Sequence, residues 1–155
     1  MKIAIVYHSK TNNTKLVAEM LKTEYQNLGH KVFIDSIMAR DDDEMEPNNV
    51  ILTNAPEIAG YDVVILAAPV RAFRLSAIMQ AYINQLPSLS NIKIGVFVTQ
   101  HFPFAWMGGN NAIRQFEKLL AEKRGLVSKK SVINWGNPKK RNILVDETLK
   151  QFADI

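Results

Sequence analysis

Six consecutive polar residues, Ser9-Lys10-Thr11-Asn12-Asn13-Thr14, follow closely on the apolar run Ile3–Tyr7. Ser9, Thr11 and Thr14 offer hydroxyls, while Asn12 and Asn13 offer amides and tolerate the left-handed backbone that a tight loop needs. A helical pattern starts directly afterwards, so the free N–H groups and dipole of its first turn face the same space. Such a loop suits a phosphate monoester. Ordinary helix capping by Thr11 or Asn12 explains one of these groups but not the whole cluster.

Two further segments end apolar runs and carry polar or aromatic side chains. One is Pro69-Val70-Arg71-Ala72-Phe73-Arg74. The other is the stretch from Thr99, Gln100 and His101 through Phe102, Phe104 and Trp106 to Gly108 and Gly109. His8 and His101 fall on the same side as these segments, but two histidines without a third ligand do not define a metal site. Ser9 has neither a nucleophile-elbow motif nor an evident acid partner, which argues against a hydrolase. No Gly-x-Gly-x-x-Gly or Walker pattern follows any strand.

The elements that must position these residues alternate regularly. Apolar runs at Ile3–Tyr7, Val32–Ile34, Val63–Ala68 and Ile92–Thr99 read as strands, the central ones buried on both faces, and Leu126–Trp135 supplies a fifth. Between them, apolar residues recur at helical spacing: Leu16, Val17, Met20, Leu21 and Leu28 before Gly29; Ile78, Met79, Tyr82, Ile83 and Leu86; then Ile113, Phe116, Leu119 and Leu120. A terminal helix is expected over Leu144–Phe152, with Leu149 and Phe152 inward, and a weak one near Pro56–Ala59. Arg40–Asn49 reads as an exposed acidic loop. The order β-α, repeated about five times without linker or repeat, predicts one α/β domain over 1–155. That domain is a three-layer doubly wound sandwich with a five-stranded parallel sheet in the order 2-1-3-4-5. Ligands of such sheets bind beyond the carboxyl ends of the strands, where the order reverses, and the three polar segments lie there.

Hydrophobic residues make up 47% of the chain and charged ones 22%, the balance of a soluble globular domain. No apolar run is long enough for a membrane span, and the first residues lack a cleavage signal, so a cytoplasmic protein is expected. The absence of cysteine excludes disulfides, thiolate nucleophiles and iron–sulfur ligation. The net charge is +4, yet five acids cluster at Asp41, Asp42, Asp43, Glu44 and Glu46, and Lys139-Lys140-Arg141 forms the tightest basic cluster. No nucleic-acid motif accompanies the basic residues, so nucleic acid is not an expected partner. With the expected strand order, the acidic loop and the basic cluster stand at opposite edges of the ligand face. That predicts a charge gradient able to orient a redox partner or an anionic nicotinamide phosphate, although solvated loops are the simpler reading.

The run Ser9–Thr14 resembles the flavodoxin phosphate loop, Ser/Thr-x-Thr-Gly-x-Thr, with Asn12 at the glycine. Asparagine is the next most permissive residue at positive φ. The segment Ala68–Phe73 is similar to the loop that passes over the flavin ring in that family, and the stretch ending Trp106-Met107-Gly108-Gly109 to one that contacts the isoalloxazine edge. A receiver domain shares the topology but needs acids where His8-Ser9 stand. The resemblance implies non-covalent FMN as cofactor, with its phosphate on Ser9, Thr11, Asn12, Asn13 and Thr14 and with Lys10 in the same loop. Pro69, Val70, Arg71, Ala72 and Phe73 would line the ring, and Thr99, Gln100, His101 and Gly108 its polar edge. Phe73, Phe102, Phe104 and Trp106 are the candidates to cover it. Electron-carrier members of the family are strongly acidic, whereas Arg71 and Arg74 would bring positive charge to the ring here. The expectation is therefore an FMN-dependent oxidoreductase taking electrons from NAD(P)H or a protein donor to a small acceptor such as a quinone. The alternative is a non-enzymatic carrier between proteins. The oligomeric state stays open, a homodimer included.

Overall fold

A computed structural model describes all 155 residues. Strand β1 (Lys2–Tyr7) leads into helix α1 (Asn13–Asn27), and β2 (Lys31–Ser36) follows. Next come β3 (Met38–Ala39), a 3₁₀ turn at Pro47–Asn49 and β4 (Leu52–Asn54). Strand β5 (Val63–Arg71) hairpins into β6 (Arg74–Leu75) before helix α2 (Ala77–Asn84). The chain closes with β7 (Lys93–Gln100), α3 (Gly109–Glu122), β8 (Val127–Asn134) and α4 (Pro138–Ala153). The main sheet runs β2-β1-β5-β7-β8, all parallel, with β6 antiparallel to the end of β5. Counting the five long strands, this is the expected order 2-1-3-4-5.

Alternation along each strand builds two cores, because successive side chains point to opposite faces. Ile3, Ile5, Ile65, Ala67 and Phe97 pack under α1 and α4 with Val17, Leu21, Tyr25 and Phe152. Ala4, Val6, Leu66, Val96 and Val98 pack under α2 and α3 with Ile78, Met79, Tyr82, Phe116 and Leu120. Gly95 is required where β7 passes beneath α4, since a Cβ there would stand 2.8 Å from Ile65 Cδ1 and 3.0 Å from a Phe152 ring carbon.

Four expectations change. No helix forms at Pro56–Ala59; the crossover from β2 to β5 is made by the short β3–β4 ladder and an extended segment. Pro56 has no N–H and biases Ala55 away from helix. The Tyr82 hydroxyl donates to the Pro56 carbonyl at 2.5 Å, and Ile58 fills the layer beside α2. On α1 the buried stripe is Thr14, Val17, Ala18, Leu21 and Tyr25, leaving Leu16, Met20 and Leu28 exposed. Helix α4 begins at Pro138, capped by the Asn137 side chain, so Lys139-Lys140-Arg141 forms a first helical turn rather than a loop. Finally, the third long strand continues past Pro69 to Arg71. Its turn residues Ala72 (φ 50) and Phe73 (φ 63) both lie in the left-handed region, the backbone of a type I′ hairpin made without glycine.

Candidate functional site

The loop between β1 and α1 holds the backbone in an unusual state. Asn12, at the helix N-cap, has φ 66 and ψ 0, the conformation expected for a glycine position. The N–H groups of Ser9, Lys10, Thr11, Asn12, Asn13 and Thr14 have no acceptor within the protein; the first helical bond is Leu16 N–H to Asn12 O at 2.9 Å. Ser9 Oγ only accepts weakly from Lys15 N, at 3.4 Å. Six free donors in succession, at the positive end of a helix, are the kind of group that can bind an anion. Thr14 differs from its neighbours in being buried, its hydroxyl 2.8 Å from that of Thr99 on β7. It ties the loop to the sheet.

Beside this loop lies a cleft of about 260 Å³ walled by Lys10, Thr11, Asn13, Pro69, Val70, Arg71, Thr99, Gln100 and His101. The structure therefore brings together parts of all three segments singled out in the sequence. Ser9, Asn12 and Thr14 shape the loop without walling the cleft. Ala72 and Phe73 form the hairpin tip, where Phe73 stacks on Phe102 with ring centroids 5.3 Å apart. Gly108 sits where a Cβ would stand 2.8 Å from Phe73 Cα and 2.9 Å from Val70 Cγ1, so glycine lets this loop close on the hairpin. Trp106 is not a wall of the cleft; it is 73% exposed and stacks on Phe104. Gln100 Nε2 donates to the carbonyls of Phe102 and Phe104, and Asn134 to Phe102, stapling the 101–108 segment. That leaves Gln100 Oε1 buried without a donor, tucked against Gly109.

The acidic loop does not stay at the sheet edge as expected. It folds across the strand ends and engages the cations of the cleft. Arg71 donates to the Asp42 carbonyl at 2.7 Å, and Asp43 pairs with both Lys10 and Arg71. Arg74 donates to the Met45 carbonyl at 3.0 Å and faces Glu46. Arg71 thus walls the cleft with Asp43 as its counter-ion, while Arg74 lies outside the cleft and faces Glu46.

Buried His8 fastens this loop. Its Nε2 lies 2.8 Å from Asp42 Oδ1 and its Nδ1 2.9 Å from Ser76 Oγ. A carboxylate only accepts, so Nε2 carries the proton, Nδ1 accepts, and the Ser76 hydroxyl donates. Ser76 Oγ also accepts from Met79 N at 3.2 Å, capping α2. Burial pushes the imidazolium of His8 below its ordinary value of 6.5, opposed by the hydrogen bond to Asp42 and assisted by Arg71 and Lys10. The three residue types match a serine hydrolase relay, but the ring is reversed relative to one, and Ser76 is only 1% exposed. The arrangement is a latch between β1, α2 and the acidic loop. No cluster of three metal-ligating side chains exists. Sequence reasoning placed His8 on the ligand face but missed Ser76 and Asp42 as its partners, because pairs 68 and 34 residues apart leave no local signal.

A larger concavity of about 540 Å³ lies between α1 and α4, walled by Leu16, Met20, Trp135, Val145 and Leu149 among others. It is mainly apolar and contains none of the residues that carry the free donors. No helix is long and apolar enough to cross a membrane.

No protein-family model and no curated protein matches the chain by sequence. Solved structures do match its fold. Two-electron reduced flavodoxin from Megasphaera elsdenii superposes with a TM-score of 0.69 at 17% identity, covering 99% of each chain. Oxidised flavodoxin 2 from Bacillus cereus gives 0.68 at 18% identity over 100% of both chains. A flavoprotein from Lactobacillus acidophilus NCFM, solved in complex with FMN, gives 0.63 at 14% identity, covering 95% of this chain and 97% of that one. The flavodoxin-like fold is thereby established.

Proposed function

We propose that the chain is an FMN-binding redox protein whose cofactor phosphate is held by the Ser9–Thr14 loop. The observation that carries this reading is the run of six unpaired backbone donors around left-handed Asn12. Thr11, Asn13 and Lys10 add side-chain donors beside it. These groups fit a phosphate monoester: a dianion needs several charge-assisted donors at once, and nothing in the protein uses them. Phe73 and Phe102, already stacked, offer aromatic faces for a planar ring, and Val70 and Pro69 an apolar wall. The matched flavoprotein in complex with FMN supports the choice of ligand. Bound FMN would supply reversible one- and two-electron transfer; the chain's own residues bind and orient it.

Of the two functional forms, the structure favours a carrier. The expectation of a reductase rested on free positive charge from Arg71 and Arg74, and both are paired with the acidic loop. Reduction of a quinone at the expense of NAD(P)H remains the second reading, favoured by the cations Lys139, Lys140 and Arg141 that an anionic dinucleotide could meet. The test is a visible and fluorescence titration with FMN, followed by turnover with NADPH and a quinone. Saturable quenching at one equivalent with negligible turnover is expected. Robust turnover by the pure protein would make it a reductase, and no quenching would overturn the cofactor assignment.

A further inference from the structure

The ligand face carries a second surface beside the cleft. Its centre is aromatic: Phe104 and Trp106 stack with rings 9° from parallel and are 49% and 73% exposed. The neighbouring Phe73–Phe102 stack is exposed as well. Contiguous exposed aromatics on a small domain mark a contact surface more often than they are left to water.

Its rim is cationic. Lys139, Lys140 and Arg141 occupy the first turn of α4, where positive charge opposes the helix dipole and disfavours the helix that carries it. None of the three has a carboxylate partner; across the face Asp43 pairs with Lys10 and Arg71 and Glu46 with Arg74, while Asp42 bonds neutral His8 and keeps its charge. Lys140 also binds the aromatic loop directly, donating to Pro103 O at 2.8 Å and lying 5.1 Å above the Phe104 ring. Unneutralised charge on the aromatic side of the face is therefore positive, and it is fixed to the aromatic patch.

We propose that this surface, the 101–108 loop with the first turn of α4, docks a redox partner protein whose contact face is rich in carboxylates. The proposal rests on the FMN reading for its biological sense, because the surface lies beside the cleft that would hold the flavin. Its physical basis is separate: a basic rim steers an acidic partner, and the aromatics supply the desolvated centre of the contact. Single-stranded nucleic acid also takes aromatics and cations, but it needs a basic groove tracking its backbone. Here three cations form one compact group.

The test is a ¹⁵N-amide NMR titration of the full chain with an acidic plant-type ferredoxin at low ionic strength, which requires no flavin. Shifts are expected at Phe104, the Trp106 indole and Lys139–Arg141, fading as salt approaches about 0.3 M, where the Debye length shortens to roughly 6 Å. A triple variant, Lys139→Glu, Lys140→Glu and Arg141→Glu, should weaken binding at least about tenfold, as charge reversal across such a contact does. It keeps its fold because acids suit a helix N-terminus. The flavin-loaded protein then gives a second readout: stopped-flow reduction by reduced ferredoxin should slow with salt, while reoxidation by basic cytochrome c should quicken. Shifts at this surface with oligo-dT or NADPH but not ferredoxin would overturn the proposal, as would an unaffected triple variant. Failure of FMN to bind shows in the absorbance spectrum and leaves the NMR result standing by itself.

Discussion

Replacing Asp43 by asparagine is expected to tighten the binding of FMN. One carboxylate bridges the two cations of the cleft, Lys10 and Arg71, and so competes with any anion that would use them. Its side chain is 70% exposed, so the relevant dielectric is close to that of water. At a separation of roughly 6 Å, one negative charge repels a dianionic phosphate by about 1.4 kcal/mol, or about tenfold in dissociation constant. Loss of the two exposed ion pairs should cost at most about 1 kcal/mol of stability each. The variant should therefore hold FMN about tenfold more tightly in low salt, with the difference shrinking toward 0.5 M as screening sets in. Riboflavin, which lacks the phosphate, should bind both proteins alike. Fluorescence-quench titrations of the two ligands at two salt concentrations measure all four quantities. Unchanged FMN affinity in low salt, or an equal gain for riboflavin, would refute the idea that Asp43 shares the phosphate's cations.

Because burial lowers the pKa of His8 beneath 6.5, the unfolded chain takes up this proton first as pH falls. The stabilisation from neutral His8 is thus present above pH 6.5 and is lost as pH drops from there through the folded-state value, with a slope no steeper than about 1.4 kcal/mol per pH unit. His8→Gln should flatten that part of a urea-denaturation profile, and parallel profiles would contradict the latch. Gly108→Ala would place a Cβ 2.8 Å from Phe73 Cα at φ 110, costing about 2–4 kcal/mol from overpacking and backbone strain; an unchanged urea midpoint would refute that closeness. Tyr25→Phe removes the 2.9 Å bond from its hydroxyl to the Phe152 carbonyl, for an expected loss of about 1 kcal/mol by thermal or urea unfolding.

The central parallel strands were legible because each is a short apolar run buried on both faces. Val63–Ala68 was placed to the residue as far as it went. Its continuation to Arg71 was not, because Ala72-Phe73 carries none of the glycine or asparagine that marks a type I′ hairpin. The crossover near Pro56 misled because the expectation assumed a helix in every βαβ unit, while Tyr82 and Ile58 hold this one extended. In the candidate site, the Ser9–Thr14 loop could be read locally, including left-handed Asn12. The position of the acidic loop could not: its contacts with His8, Lys10 and Arg71 span about thirty residues and depend on how the strands are ordered.

Calorimetric titration of the purified chain with FMN and with riboflavin tests the central claim most directly, since the two differ only in the phosphate. If the free N–H groups of Ser9–Thr14 hold that group, two or more charge-assisted hydrogen bonds of about 1.5–3 kcal/mol each should make FMN bind one-to-one and at least about a hundredfold more tightly. Equal affinities, or no heat from either ligand, would contradict the assignment of this loop.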